Sequence, residues 1–280
     1  MSWATLPGPG ETEDLLARLA RPGPEPDFHL MHAATRALIL RPATAPVADH
    51  QAAAIMQFWD QPVPPADVLA SLESWRIAGP PLARFSDAAA SDWLHDHYGQ
   101  EVLAAYRHCH HPAMRSDLFR LAWLLRLGGL YVDADDAYGG PGPLPGFEAG
   151  LVLLPLAQFG GTIVPMAEGL AASAAGEHVG FFANNAPLYA RAGHPVLQAA
   201  LEGALGHLRR CMAQGVRGDI HAHTGPFNLS LALVAYLAGC HRAGREPDVA
   251  LRVEWPWLRP FLPMDYKLGP RNWRSGASLY

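Results

Sequence analysis

The stretch HPAMRSDLFRLAWLLRLGGLYVDADD, residues 111–136, decides how the fold is built. Its first part predicts a long helix, because Pro112 suits a first helical turn and Gly128 and Gly129 follow the last periodic residue. The next three residues are apolar and predict a buried strand that ends at Asp133. A helix that leads directly into a buried strand is typical of an α/β fold.

The same alternation continues on both sides of this stretch. Apolar runs bounded by turn residues predict further strands, and longer periodic segments predict helices. Strands are predicted within residues 52–62, 81–87, 150–156 and 178–190, and helices within 65–75, 86–99, 100–109, 194–215 and 224–239. Together these elements predict an α/β sandwich with a mixed, largely parallel central sheet.

Composition excludes several classes of protein. Half of the 280 residues are hydrophobic, only 17% are charged and the net charge is -5, which argues against a nucleic-acid binder. The three cysteines form no C-x-x-C pair, and no secretory signal precedes them, so we expect a cytoplasmic protein without disulfides. No apolar run is long enough to span a bilayer, and peripheral membrane contact is left open.

Breaker residues divide the chain into two regions. Residues 1–48 are rich in proline and glycine and are predicted to be an N-terminal appendage or linker. Residues 49–280 are predicted to form the main domain. Its final segment, 255–280, is rich in proline and aromatic residues and is expected to be an irregular closing tail.

Three carboxylates follow the predicted central strand. In an extended strand Asp133 and Asp135 share one side, whereas Asp136 points to the other. Two carboxylates on one side repel each other unless a cation or hydrogen bonds compensate, and their oxygens suit Mg²⁺ or Mn²⁺ bound together with phosphates. Ligands gather at the carboxyl ends of strands in open α/β sheets. The alternative is an ordinary acidic turn that faces water.

The combination R-S-D-x-x-R followed by G-G-x-Y-x-D-x-D resembles sugar transferases with a DXD motif. These are of the glycosyltransferase family 32 type, which includes yeast mannosyltransferases and bacterial capsular polysaccharide enzymes and is distantly similar to glucosylating clostridial toxins. Flanking segments such as IMQFWDQP and NNAPLYARAGHP extend the likeness over roughly residues 51–273. The resemblance implies a GT-A-type fold, a UDP- or GDP-linked sugar donor, a glycan or other hydroxyl acceptor, bound Mn²⁺ or Mg²⁺ and retention of anomeric configuration.

The resemblance also implies roles for individual residues. Asp135 is expected to bind the metal, and Asp133 to contact donor hydroxyls and reach the metal through water. Asp117 and Arg120 share a helix face and are expected to hold the transferred sugar, although a surface ion pair is the simpler alternative. The expected donor-binding residues are Trp59, Arg115, Asn184, Asn185, Lys267 and Trp273. The alternatives are an acidic neighbour for Arg115, a core position for Trp59, ordinary turn chemistry for the two asparagines and a solvated basic tail for Lys267 and Trp273.

Two other classes of protein are consistent with parts of the pattern. A phosphohydrolase of the haloacid dehalogenase type also places D-x-D after a strand, but Ala137 stands where its motif has Thr or Val. A non-catalytic sugar- or nucleotide-binding module is the second alternative. The histidines at 108, 110 and 111 and the H-x-H at 221–223 lack the spacing of a zinc site.

Overall fold

The computed structural model describes residues 28–39 and 49–268. Helices and strands alternate through most of this range, as the sequence predicts. The helices are α1 (Phe28–Ile39), α2 (Ala66–Ser74), α3 (Asp87–His108), α4 (Pro112–Leu127), α5 (Met166–Ala174), α6 (Pro195–Gln214) and α7 (Pro226–Arg242). The strands are β1 (Ile55–Phe58), β2 (Leu82–Phe85), β3 (Gly129–Val132), β4 (Ala137–Tyr138), β5 (Leu151–Phe159), β6 (Thr162–Val164), β7 (Val179–Ala190), β8 (Val249–Leu251) and β9 (Leu258–Arg259).

The central sheet has seven strands in the order β2-β1-β3-β7-β5-β6, with β8 also paired to β5. Strands β1, β2, β3, β5 and β8 run in one direction, whereas β6 and β7 run against them. The predicted α/β fold with a mixed, largely parallel sheet is therefore confirmed. Because β1 and β3 are parallel neighbours, their carboxyl ends open at the same edge.

Different layers cover the two faces of the sheet. Side chains of α3, α4, α6 and α7 pack on the face that carries Met56 and Tyr131. Aromatic side chains that include Trp75, Phe147 and Trp257 cover the opposite face. The alternation of side chains along β3 thus turns Tyr131 toward α4, whereas Val132 faces the aromatic layer.

Two glycines allow α4 to turn sharply into β3. Gly128 has φ 69° and Gly129 has φ 120°, a region that favours glycine. A Cβ atom at Gly129 would lie 2.6 Å from the carbonyl oxygen of Ala54. The backbone segments at Gly129 and Ala54 approach closely, and this approach fixes where β3 begins. It therefore also fixes the position of the carboxylates at the end of β3.

Helix α1 lies within the segment predicted to be an appendage, and it packs on the domain. Its Met31 and Ala34 are buried against Phe182 of β7 and Phe227 of α7. This helix is therefore part of the core, and the predicted boundary at residue 48 does not separate it from the domain. Residues 255–268, the described part of the tail, contain the short strand β9 and a 3-10 turn at Asp265–Leu268, and their Trp255 and Trp257 are buried.

Candidate active site

A cavity of about 220 Å³ lies at the carboxyl ends of β1 and β3. Its walls come from these strand ends, the first turns of α4, the middle of β7, a π-helical turn at Ile220–Thr224 and the tail. Eight of the ten predicted site residues line it: Trp59, Asp117, Arg120, Asp133, Asp135, Asn184, Asn185 and Lys267. The fold therefore brings together residues that are far apart in sequence.

The deep end of the cavity contains a buried ion pair between Asp117 and Arg120. Arg120 Nη2 lies 3.0 Å from Asp117 Oδ1, and the two side chains are only 4% and 6% exposed. Asp117 Oδ1 accepts a hydrogen bond of 2.6 Å from Asn185 Nδ2, and its Oδ2 accepts one of 3.1 Å from Thr224 Oγ1. The alternative of a surface ion pair is therefore wrong.

Arg120 connects this ion pair to the end of β3. Its guanidinium stacks over the Tyr131 ring at 4.0 Å, and its Nη2 lies 3.3 Å from Asp133 Oδ1. The Tyr131 hydroxyl donates to Asp133 Oδ1 at 2.6 Å and lies 2.7 Å from Ser116 Oγ. We call this set the inner network; its members are Ser116, Asp117, Arg120, Tyr131, Asn185 and Thr224.

Burial changes the acid–base properties of the inner network. Burial raises the pKa of Asp117 to about 6, although the Arg120 charge and the hydrogen bonds from Thr224 and Asn185 oppose this effect. Burial also raises the pKa of Tyr131 well above its ordinary value. Tyr131 therefore stays protonated at neutral pH and donates to Asp133, while Asp117 is ionised above about pH 6.

The mouth of the cavity contains a second ion pair. Lys267 Nζ donates to Asp135 Oδ2 and to the carbonyl oxygen of Leu262, the latter at 2.7 Å. The Asp135 side chain is 12% exposed and that of Lys267 is 27% exposed. We call Asp135 and Lys267 the outer pair. Asp133 lies between the two groups, with its side chain 38% exposed.

Asp136 has a structural role away from the cavity. Its Oδ1 accepts a hydrogen bond from the Phe261 amide and its Oδ2 accepts one from the Asp133 amide, both at 3.4 Å. Burial raises the pKa of Asp136 well above the ordinary value, and the charges of Asp133 and Asp135 raise it further. The raised pKa makes Asp136 easier to protonate than its neighbours, and uptake of a proton there would relieve part of the repulsion among the three adjacent carboxyl groups.

The charge of the cavity fits a divalent cation. Four carboxylates line it, at Asp60, Asp117, Asp133 and Asp135, against the permanent cations Arg120 and Lys267, so the balance is two negative charges with histidines neutral. Within residues 28–39 and 49–268, no three His, Cys, Asp or Glu side chains form a complete metal cage. Mg²⁺ and Mn²⁺ are commonly held by one or two carboxylates plus substrate phosphates, and Asp133 and Asp135 supply that donor set.

Aromatic and amide side chains complete the cavity wall. Trp59 lines the cavity and contacts Tyr266 edge-on, with 5.2 Å between the ring centroids. Asn184 and Asn185 lie where the pairing of β7 with β5 is interrupted near Leu153 and Pro155. Such irregularities redirect side chains, and here they turn both amides toward the cavity.

One predicted donor-binding residue that the structure describes, Arg115, lies outside the cavity. Its Nη1 lies 3.0 Å from Asp87 Oδ2 and its Nε donates to the Cys109 carbonyl oxygen at 3.0 Å. Arg115 therefore pairs with an acidic neighbour, which was the alternative to its predicted role in donor binding. Its assignment as a donor-binding residue is corrected accordingly. Trp273 lies outside the described residues.

Sequence reasoning missed several residues that line or brace the cavity. Tyr131 was interpreted only as part of an apolar strand, although its spacing of two from Asp133 places both on one side. Thr224 is the first residue of the predicted helix 224–239 and has no role in the predicted site. Tyr266 directly precedes Lys267, and Phe261 has an unusual positive φ of 57°. No local pattern marks these last two residues.

A family model matches the part of the chain that contains the DXD motif. Residues 65–141, 77 of the 280, match the family described as "Glycosyltransferase sugar-binding region containing DXD motif". This confirms the predicted DXD-containing, glycosyltransferase-type region, and the family 32 and capsular assignments stay predictions. The solved structure of the PaToxG glycosyltransferase is 16% identical, with a TM-score of 0.45 over 70% of this chain and 80% of its own. No curated protein sequence matches the chain.

None of the helices in residues 28–39 and 49–268 has both the length and the apolar character needed to cross a membrane.

Proposed function

We propose that the protein transfers a hexosyl group from a UDP- or GDP-linked donor to a hydroxyl of a glycan or other acceptor, with Mn²⁺ or Mg²⁺ and with retention. The continuous path of contacts from Asp117 through Arg120 to Asp133, beside Asp135, carries this proposal. It joins a group suited to sugar hydroxyls to a group suited to a metal diphosphate. A role in polysaccharide synthesis is part of the same proposal.

The cavity wall suggests how the donor lies. Trp59 and Tyr266 offer aromatic surface for the nucleobase at one side. Asp133, Asp135 and Lys267 lie at the mouth and would surround the diphosphate. Asp117 and Arg120, with the amide of Asn185 beside them, lie deeper and would hold the sugar hydroxyls. Phe261, Tyr266 and Lys267 come from the tail, which would cover the donor and exclude water.

Asp133 and Asp135 are the residues that would hold the divalent cation. A cation there supplies Lewis-acid stabilisation of the charge that develops on the leaving diphosphate. Because the cavity lining has two excess negative charges, it disfavours binding of the anionic donor diphosphate unless a cation is also bound. The proposed requirement for metal follows from this balance as much as from the motif.

The inner network favours front-side transfer over a covalent intermediate. Both oxygens of Asp117 already accept hydrogen bonds, and Arg120 pairs with one of them, so this carboxylate is held as an orienting group. Asp133 accepts from Tyr131 and faces the diphosphate side. The leaving phosphate oxygen would then accept the proton of the acceptor hydroxyl, while the protein contributes orientation and electrostatic stabilisation.

Calorimetry with UDP and GDP, with and without Mn²⁺, tests the binding step. We expect one nucleotide to bind only with the metal, and we expect Asp135→Asn to weaken this metal-dependent binding. Metal-independent binding of both nucleotides, unaltered in the variant, would contradict the proposed cation site. Failure of both nucleotides to bind under any condition would remove the proposed function.

Product analysis tests the reaction itself. NMR of the first product from an α-linked donor should show an α-linked sugar, and a β-linked product would contradict retention. Binding without either donor hydrolysis or transfer to any of a panel of glycosides would support a non-catalytic module instead. Release of phosphate from simple phosphomonoesters would favour the phosphohydrolase alternative.

A further inference from the structure

Lys267 is the only lysine in a chain that has twenty arginines. It lies in the cavity, and its ammonium group contacts Asp135, the carboxylate expected to bind the metal. An ammonium group is a compact point charge that exchanges partners more easily than the planar guanidinium of arginine. A single lysine at this position is therefore suited to a temporary contact.

The backbone around Lys267 holds the ammonium group close to the strand end. The Leu262 amide donates to the Asp135 carbonyl oxygen at 2.9 Å, and the Asp265 amide donates to Asp67 Oδ2 of helix α2 at 3.0 Å. These contacts fix the segment that leads into the 3-10 turn at Asp265–Leu268, and the second of them holds the first residue of that turn. The side chain is left as the part of Lys267 that can change partners.

We infer that Lys267 occupies the position of the divalent cation on Asp135 and gives it up when the donor diphosphate binds. The inference rests on the proposed function. With no nucleotide bound, the ammonium group neutralises Asp135 and competes with the cation. When the diphosphate arrives, it offers the ammonium group a stronger anionic partner, and Asp135 becomes free to bind the metal. Cation and nucleotide therefore bind with positive coupling, which acts equally in both directions.

The coupling ensures that metal and donor enter together. A cation bound alone would place a second positive group beside the Lys267 ammonium, which is unfavourable because like charges at the cavity mouth repel each other. A diphosphate bound alone would face the carboxylates of Asp133 and Asp135. Only the combination of both ligands satisfies every charge at the mouth. With Lys267 counted, the cavity lining still has two excess negative charges, which equal in number the two positive charges of the cation.

Electron paramagnetic resonance of free Mn²⁺, with the full chain, tests the competition directly. Lys267→Met removes the charge and keeps the length of the side chain, whereas Lys267→Arg keeps the charge. We expect Lys267→Met without nucleotide to bind Mn²⁺ at least about tenfold more tightly than the natural chain, because a competing positive charge is lost. Lys267→Arg should stay within a few-fold of the natural chain, at least nearer to it than to Lys267→Met.

A double variant tests whether the gain in Mn²⁺ affinity depends on Asp135. Lys267→Met combined with Asp135→Asn should lose the gain, and the two changes should be strongly non-additive. In the natural chain, UDP or GDP should tighten Mn²⁺ binding by at least about tenfold, and this factor should shrink in Lys267→Met. Lys267→Gln provides a second neutral variant if Lys267→Met does not fold.

Two outcomes separate this inference from the proposed function. If Lys267→Met binds Mn²⁺ alone no more tightly than the natural chain, while nucleotide binding still requires Mn²⁺, the competition is wrong and the proposed function stands. If neither nucleotide binds the natural chain, the proposed function fails. The comparison of Mn²⁺ binding without nucleotide then still decides whether Lys267 competes for Asp135.

Discussion

The two ends of the cavity differ in how their charges are held. In the inner network Asp117 and Arg120 are almost completely buried, and each has several partners from α4, β7 and the π-helical turn. In the outer pair, Asp135 has one ammonium partner supplied by the tail. The inner network is therefore preorganised for one arrangement of hydroxyls, whereas the outer pair is built to exchange partners.

This difference matches the two parts of the proposed donor. A sugar ring needs fixed hydrogen-bond partners, because small misplacements of the reacting carbon greatly reduce the rate. A metal diphosphate arrives with its own charges and must displace existing partners. Substitutions at the two ends should therefore separate turnover from nucleotide binding.

Asp117→Ala should have the largest effect. We expect turnover to fall by about 100-fold or more, because sugar orientation is lost, whereas affinity for the nucleoside diphosphate with Mn²⁺ should change little. Unfolding free energy should fall by about 3 kcal/mol, because Arg120 would lose a buried partner. Steady-state kinetics, calorimetry and denaturant unfolding measure the three effects.

Asp117→Asn is the matched control for this change. It keeps the shape and part of the hydrogen bonding, so it should lose turnover with a smaller loss of stability. If nucleotide affinity falls as steeply as turnover in both variants, the two ends of the cavity do not act separately.

Asp135→Asn should have the next largest effect, with the opposite pattern. Mn²⁺-dependent nucleotide affinity should fall by at least about tenfold, because the variant removes a charged metal ligand. Unfolding free energy should change by less than about 1 kcal/mol, because burial and the Asp133 charge disfavour the ionised form of Asp135, and relief of this cost offsets the lost ion pair with Lys267. Glu101→Gln, in a solvent-exposed ion pair with Arg209, provides a control for loss of one negative charge. A large loss of stability in Asp135→Asn would show that the outer pair is structural.

Local periodicity was enough to place two members of the inner network and the two carboxylates that follow β3. Asp117 and Arg120 are three apart on a helix, and Asp133 and Asp135 are two apart after a strand, so each pair was placed on one side. Their burial depends on the packing of α4 against β7 and the π-helical turn. Sequence spacing therefore left a surface ion pair as an alternative.

Two further members of the inner network depend on contacts between segments that are distant in sequence. Asn185 and Thr224 reach Asp117 across 68 and 107 residues. An interrupted strand pairing presents the first, and a π-helical turn presents the second. Neither feature has a local pattern that would have predicted it. Arg115 is the reverse case, because helix geometry places it about 140° around α4 from Arg120, so periodicity argued against a shared site.

The raised pKa of Asp117 predicts a smaller and more specific effect on the pH dependence of activity. Asp117 must be ionised to accept hydroxyl hydrogen bonds, and its pKa is raised to about 6 by burial. As the pH falls through that value the carboxyl group takes up a proton, so kcat/KM should fall on the acidic side. Thr224→Val removes a hydrogen bond that favours the ionised form and should move this limb upward by about one pH unit.

Thr224→Ser keeps the hydroxyl group and should leave the pH profile in place. A profile that is identical in the valine variant would mean that a group other than Asp117 sets the acidic limb. Equal loss of activity at all pH values in both variants would instead indicate damage to the π-helical turn.

Arg115→Ala should have the smallest effect, and it is best compared with Arg120→Ala on the same helix. Arg115 lies outside the cavity, and its ion pair with Asp87 is partly exposed, with side chains 29% and 33% accessible. Unfolding free energy should therefore fall by no more than about 1 kcal/mol, while turnover and nucleotide affinity stay unchanged. Arg120→Ala removes the same side chain from a buried position that contacts both Asp117 and Asp133, so its turnover should collapse. A tenfold loss of turnover in Arg115→Ala, with the fold intact, would return Arg115 to the donor and show that the cavity extends beyond its present lining.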